Sequence, residues 1–252
     1  MGSLTRLDCA LGTAGLMRQA LSLALHHCAQ RAAFGKLLAA QPLMRNVLAD
    51  LALESEAATA FALRVARAVD ASPQDAREAA FARIATAVGK YWLCKRAPAF
   101  VNEAQECLGG AGYVEESILP RLYREAPLNS IWEGCGNIQC LDVLRALTRE
   151  PAVVDAVQAE LAAVAGMDAA LDGEFRELQE FLVDPRALEA GARVVVERLA
   201  LALQAAVLLR AGNGIVAGAF CRSRLGRQHG LAFGTLPTDV DFLALIDRAW
   251  PG

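Results

Sequence analysis

Residues 121–137 read RLYREAPLNSIWEGCGN, and one carboxylate, Glu133, stands there between Trp132 and Gly134. An acid set against a large ring is an arrangement for general-base chemistry, because an apolar neighbour disfavours the anion and brings proton transfer toward neutral pH. Gly134 and Gly136 remove side chains where a flat ligand would approach the backbone. The same residues also read as a plain helix start, with Asn129 or Ser130 as a polar cap, an early acid and then an apolar run. Taken alone, the segment leaves both readings open.

Three other groupings carry chemistry. Arg31-Ala-Ala-Phe34-Gly35, with Gln41 shortly after, follows the end of a helical stretch. Its guanidinium can present a fork to a pyrophosphate, or can simply stabilise a helix C-terminus. Glu106-Cys-Leu-Gly109-Gly110-Ala-Gly112-Tyr113 places three glycines in four positions. One would be a helix cap, whereas three suggest close backbone approach by a ligand or another chain. They follow a helix and not a strand, which argues against a Rossmann phosphate loop. Arg222, Arg224 and Arg227, with His229, form the basic cluster of the later part of the chain, readable as a phosphate-binding patch or as a solvated face.

The elements that must position these groups are helical. Of the 252 residues 55% are hydrophobic and only 6% aromatic, so the apolar content is mainly Ala, Leu and Val, a mixture that favours helix over sheet. Apolar residues at helical spacing predict helices near 11–30, 43–69 and 75–108, with Ser72 as an N-cap before Pro73 and Pro98 as a kink in the third. A fourth helix is expected from Gly136. Four long helices with a loop before the last predict an all-α, four-helix up-down bundle over residues 1–150. Pro151 marks a boundary, and residues 151–252 read as a second helical segment, with helices near 153–166, 169–183, 185–209, 215–224 and 239–250.

Charge and cysteine usage narrow the function. Net charge is −3. Residues 1–150 carry 16 basic against 15 acidic side chains, whereas residues 151–252 carry 9 against 13 and contain no lysine. An overall electrostatic footprint for nucleic acid is therefore missing. The seven cysteines are scattered with no C-x-x-C pair, and His26 and His27 are adjacent, so neither a zinc site nor a disulfide framework is indicated. A reducing cytoplasm fits best. No apolar run is long and charge-free enough to span a bilayer. A mean hydropathy of +0.30 suggests more apolar surface than one domain buries alone, hence a homodimer, a homotetramer or a missing partner domain.

The order R-x-x-F-G, then G-G-x-G-Y, then aromatic-E-G resembles the C-terminal half of acyl-CoA dehydrogenases over about residues 5–148. The wording of residues 33–54 and 121–145, and the helical segment after 150, look most like the alkylation-response AidB-type branch. The resemblance implies an FAD-dependent α,β-dehydrogenation of an acyl-CoA, with Glu133 as the base that removes the α-proton. A second family position for the base falls at Thr5, which cannot serve, and Arg6 matches a neighbouring substrate-side arginine. Arg31, Phe34 and Gln41 match residues that reach the pyrophosphate and adenine end of FAD across a subunit interface. Gly109 and Gly110 match a second FAD-contacting loop, and Asn137 a cofactor contact just past the base. Glu106 stands where many members have glutamine, and is not carried over. The resemblance further implies that the chain is a C-terminal fragment or truncated product, inactive alone and binding flavin weakly or not at all. An alternative for the same branch is a DNA-associated protective protein of vestigial activity, binding duplex DNA through Arg222, Arg224 and Arg227.

Overall fold

A computed structural model describes residues 2–181, 188–226 and 228–250. Among them the fold is all-α. Four helices make the bundle: α1 (Gly2–Gln30), α2 (Pro42–Ala71), α3 (Ala76–Leu108) and, after two short helices α4 (Gly110–Tyr113) and α5 (Leu119–Glu125), α6 (Gly136–Arg149). The direction alternates. The Cys28 thiol donates to Cys107 O at 3.7 Å, and Thr13 Oγ1 lies 3.3 Å from Cys94 Sγ, so α1 and α3 run parallel. On α6, Gly136 packs beside Tyr91 and Lys95 while Asp142 pairs with Arg83, so α6 runs against α3.

The expected helices are present, with boundaries that local chemistry explains. α1 begins nine residues earlier than its expected start at 11, because Leu7 and Ala10 extend the buried stripe to the N-terminus. Asp75, and not Ser72, caps α3: its carboxylate accepts from the amides of Arg77 and Glu78, a bond worth about 1 kcal/mol. Ser72 instead ends α2, its hydroxyl donating to Val69 O at 2.7 Å. A feature with no sequence periodicity joins α1 to α2. It is a two-stranded ribbon, β1 (Ala32–Ala33) and β2 (Lys36–Leu37), closed by Phe34 and Gly35 at φ +51° and +78°. Positive φ at both central residues matches the twist of a two-residue hairpin.

Beyond Glu150 the chain turns back on the bundle through α7 (Pro151–Ala162), α8 (Ala169–Phe181), α9 (Leu188–Arg210), α10 (Gly214–Phe220), a π-helical turn (Cys221–Leu225) and α11 (Phe242–Ala249). The expected helix ends near 183 and 185 lie outside the described residues. One apolar core runs through both segments, from Leu51, Phe61 and Phe100 to Val196, Leu203 and Phe220. Each such fully buried side chain contributes about 1.5–3 kcal/mol of transfer free energy. Among the described residues no helix is long and apolar enough to cross a membrane.

Candidate functional site

Glu133 sits in the loop between α5 and α6, in a conformation few non-glycine residues adopt: its φ is +57°. A left-handed residue of this kind costs on the order of 1–3 kcal/mol and persists only where its surroundings fix it. Here they do. Lys90, in the middle of α3 and 1% exposed, donates through Nζ to Trp132 O at 2.5 Å and to Gly134 O at 2.7 Å. Gln139, buried on α6, donates through Nε2 to Glu133 O at 3.1 Å and Gly134 O at 2.9 Å. Three consecutive carbonyls thus have buried donors. Gly134 is required for this: at φ +98°, a Cβ there would lie 2.7 Å from Gln139 Nε2.

The Glu133 side chain is exposed and makes no hydrogen bond among the described residues. It points to the start of α1, where a Cβ on Gly2 would stand 3.1 Å from its Oε1. The Trp132 ring is also exposed, its Nε1 donating to Asn129 Oδ1 at 3.0 Å, and Asn129 in turn donates to Thr13 Oγ1. The apolar wall expected from Trp132 is therefore not closed over the carboxylate by this chain. Cys135, and not Asn129 or Ser130, is the N-cap of α6. The amides of Ile138 and Asn137 hold its exposed thiol below the usual thiol range.

Arg31, Phe34, Gln41, Gly109 and Gly110 gather at the other end of the bundle. Arg31 is exposed with its guanidinium unbonded among the described residues, Phe34 projects from the hairpin tip 99% exposed, and Gln41 Nε2 ties the hairpin to α2 by donating to Ala33 O at 3.1 Å. Cys28 and Cys107 touch, so the Arg31 hairpin and the Gly109-Gly110 turn are neighbours. Gly109 takes φ +60°, and nothing lies within 4 Å of a Cβ at either glycine, which leaves a bare backbone surface. Glu106 is exposed and accepts from Asn102 Nδ2 at 2.9 Å. The length of α1 separates this cluster from Glu133 by about 40 Å, at 1.5 Å per residue.

The remaining expected residues have other attachments. Arg6 Nη1 binds Asp142 Oδ2 at 2.6 Å, and Arg83 grips the same carboxylate, so Arg6 is held inside the bundle and not free at a substrate surface. Asn137 is exposed near the base, with its Oδ1 accepting from Arg193 of α9. The described members of the basic cluster are drawn into ion pairs. The Arg224 side chain is 6% exposed and bonds Asp50 and Glu54 of α2, Arg222 pairs with Asp239, and Arg227 lies outside the described residues. Glu54 also binds Arg96, and Asp50 also meets His229 Nε2 at 2.9 Å and accepts from the amide of Gly234. Lys90 and Gln139 were not singled out in the sequence, and their only trace there is a polar residue inside an apolar helical stripe.

Comparison with known proteins shows the family and the fold. A family model described as the C-terminal domain of acyl-CoA dehydrogenase matches residues 3–148. The chain is 48% identical over 231 residues to the Escherichia coli (strain K12) protein AidB, covering 92% of this chain and 42% of that protein. The crystal structure of Caenorhabditis elegans ACDH-11 in complex with C11-CoA superposes with a TM-score of 0.82 at 27% identity, over 89% of this chain and 43% of that one. An acyl-CoA dehydrogenase from Bacillus anthracis complexed with FAD shares the fold, with a TM-score of 0.72 at 18% identity, over 89% of this chain and 47% of that one. The chain thus spans less than half the length of these relatives. With the helical bundle, the ordered motifs and the family model in agreement, the chain belongs to the acyl-CoA dehydrogenase family, whose C-terminal domain it contains.

Proposed function

We propose that this chain supplies the catalytic bundle of an FAD-dependent acyl-CoA dehydrogenase of the AidB type, in which Glu133 is the base that takes the α-proton of an acyl-CoA. The observation that carries this reading is the setting of Glu133: a strained residue, fixed from below by buried donors, whose own carboxylate is exposed and makes no hydrogen bond among the described residues. Strain retained at an accessible acid points to function and not to packing. A carboxylate so held needs no rearrangement to meet a proton brought to it.

The residues present fit a flavin dinucleotide. Arg31 has a guanidinium with no partner among the described residues, available to a pyrophosphate, Phe34 an exposed ring for a flat base, and Gly109 and Gly110 an unobstructed backbone. FAD, when bound, supplies the acceptor for the β-hydride of the substrate. Glu133 and the Arg31 cluster lie at opposite ends of α1, farther apart than one dinucleotide reaches. Each cofactor would therefore be shared between two copies of the chain, in a homodimer or homotetramer. The exposed Phe34, Leu37 and Leu43 beside the hairpin support such a contact. The relatives bound to C11-CoA and to FAD support the substrate class and the cofactor.

Glu133→Gln in the full-length flavoprotein tests the reading. The variant is expected to keep its flavin spectrum and to lose bleaching by short, medium and long straight-chain saturated acyl-CoAs. Unchanged bleaching sinks the assignment.

A further inference from the structure

The middle of α3 carries the one lysine of the described chain that is sealed from water, and no carboxylate lies within hydrogen-bonding distance of it. An ammonium buried in this way is costly, and burial lowers its proton affinity. Its two acceptors are the carbonyls immediately before and after Glu133, Trp132 O and Gly134 O. Gln139 takes the carbonyl between them and shares the last. In an ordinary surface loop these carbonyls would face water. Here they turn inward, and the peptide geometry that turns them in also throws the Glu133 side chain out at φ +57°. Gly134 and Gly136 keep the space under the loop clear: a Cβ at the first would strike Gln139, and one at the second would come within 3.1 Å of Lys95 Cε and 3.3 Å of the Tyr91 ring.

We infer that Lys90 is a positioning residue for the base, a clamp that with Gln139 holds the backbone on both sides of Glu133 so that the carboxylate stands ready for substrate. This inference rests on the reading of Glu133 as the base. Lys90 itself, beneath the backbone, touches no reacting atom. A lysine suits the task because one ammonium donates in several directions and can span two carbonyls that flank a single residue.

Three variants of the full-length protein test the clamp: Lys90→Met, which keeps the length and removes the donors; Lys90→Arg, which keeps charge and donors; and Gln139→Met. Two readouts are used, amide hydrogen exchange of residues 131–137 and steady-state oxidation of the acyl-CoA that bleaches the wild-type flavin fastest. In Lys90→Met the loop amides are expected to exchange at least about tenfold faster, the factor that one charge-assisted hydrogen bond is worth, while the rest of the bundle keeps its protection. kcat is expected to fall about 100-fold, as for a base displaced by about an ångström, with KM and flavin content little changed. Lys90→Arg should restore much of both. If Lys90→Met does not accumulate in folded form, Gln139→Met and Lys90→Arg decide: faster loop exchange with lower kcat in the first, and near-normal behaviour in the second, support the clamp. Unchanged loop exchange and unchanged kcat overturn it. So does a kcat loss matched by equal loss of flavin and of protection throughout the bundle, which is general destabilisation. Glu133→Gln separates the two ideas. If that variant is inactive while Lys90→Met behaves as wild type, the base stands and the clamp fails. If it remains active while Lys90→Met loosens the loop and leaves turnover intact, the base assignment fails, and Lys90 is a structural tether only.

Discussion

Lys90 and Arg224 are both cations removed from water, and the fold satisfies them in opposite ways. Lys90 is set against backbone dipoles, Trp132 O and Gly134 O. Arg224 is set against full charges, Asp50 and Glu54, in a group that also takes in Arg96 and His229. The consequences differ. Where charge meets charge, both partners are used up and the result is architecture: the network fastens the π-helical turn of the second segment to α2. Where charge meets dipoles, the nearby acid is left over. Glu133 remains exposed on top of the clamped loop, with no hydrogen bond among the described residues, and this is where the proposed chemistry is set.

The largest expected effect comes from breaking the charge-to-charge region. Arg224→Met leaves Asp50 with His229 and Gly234, and Glu54 with Arg96, as their hydrogen-bond partners among the described residues. Removing one member of a buried ionic group typically costs about 3–5 kcal/mol, because the opposite charges stay buried. Chemical denaturation should show a loss of that size, with the flavin site of the full-length protein unaffected at temperatures where it stays folded. A loss below about 1 kcal/mol would mean that the network is no better than a surface pair, and the contrast with Lys90 would collapse.

Acid sharpens the same contrast. Burial by itself pushes the Asp50 carboxyl up, but the bond to His229 and the charge of Arg224 override it and hold the carboxyl below its ordinary range. Burial likewise raises Glu54, and Arg96 and Arg224 override it in the same direction. A carboxyl depressed in the folded state contributes stability above its unfolded pKa of about 4, and that contribution is lost as pH falls below this toward the folded value. Urea midpoints measured from near neutrality down to about pH 3 should therefore decline steeply at the acid end, and less steeply in Arg224→Met. Identical pH dependence in the two proteins would remove the network from the account.

How much of this was readable in the sequence follows from the range of the interactions. The helices were legible because each carries its signal locally, in apolar residues three and four apart, and so were the glycine turn and the acid at 133. The hairpin at Phe34 was not, because strands of two residues have no period to detect. Ser72 and Asp75 are both plausible caps a few residues apart, and only the geometry of the α2–α3 turn selects between them. Lys90 acts on carbonyls 42 and 44 residues away, and a carbonyl has no identity in a sequence. The arginine cluster was visible as a cluster, but the partners of Arg224 on α2 lie 170 and 174 residues from it, so a buried tie and a surface patch looked alike.

The smallest expected effect is at Arg222, three-dimensionally close to Arg224 in the chain's π-helical turn but set on the surface. Its pair with Asp239 is open to solvent, with side chains 42% and 69% exposed, and a pair of this kind is screened by salt and adds little. Arg222→Ala should leave the denaturation midpoint where it was. The same variant also tests whether a phosphate contact is made at Arg222. With Arg224 buried and Arg222 committed to Asp239, the affinity of the protein for duplex DNA, and its dependence on salt, should be the same with and without the substitution. If Arg222→Ala instead makes the slope of log affinity against log salt shallower by about one, the arginine leaves Asp239 for a phosphate, and the second segment has a nucleic-acid surface in addition to its structural tie.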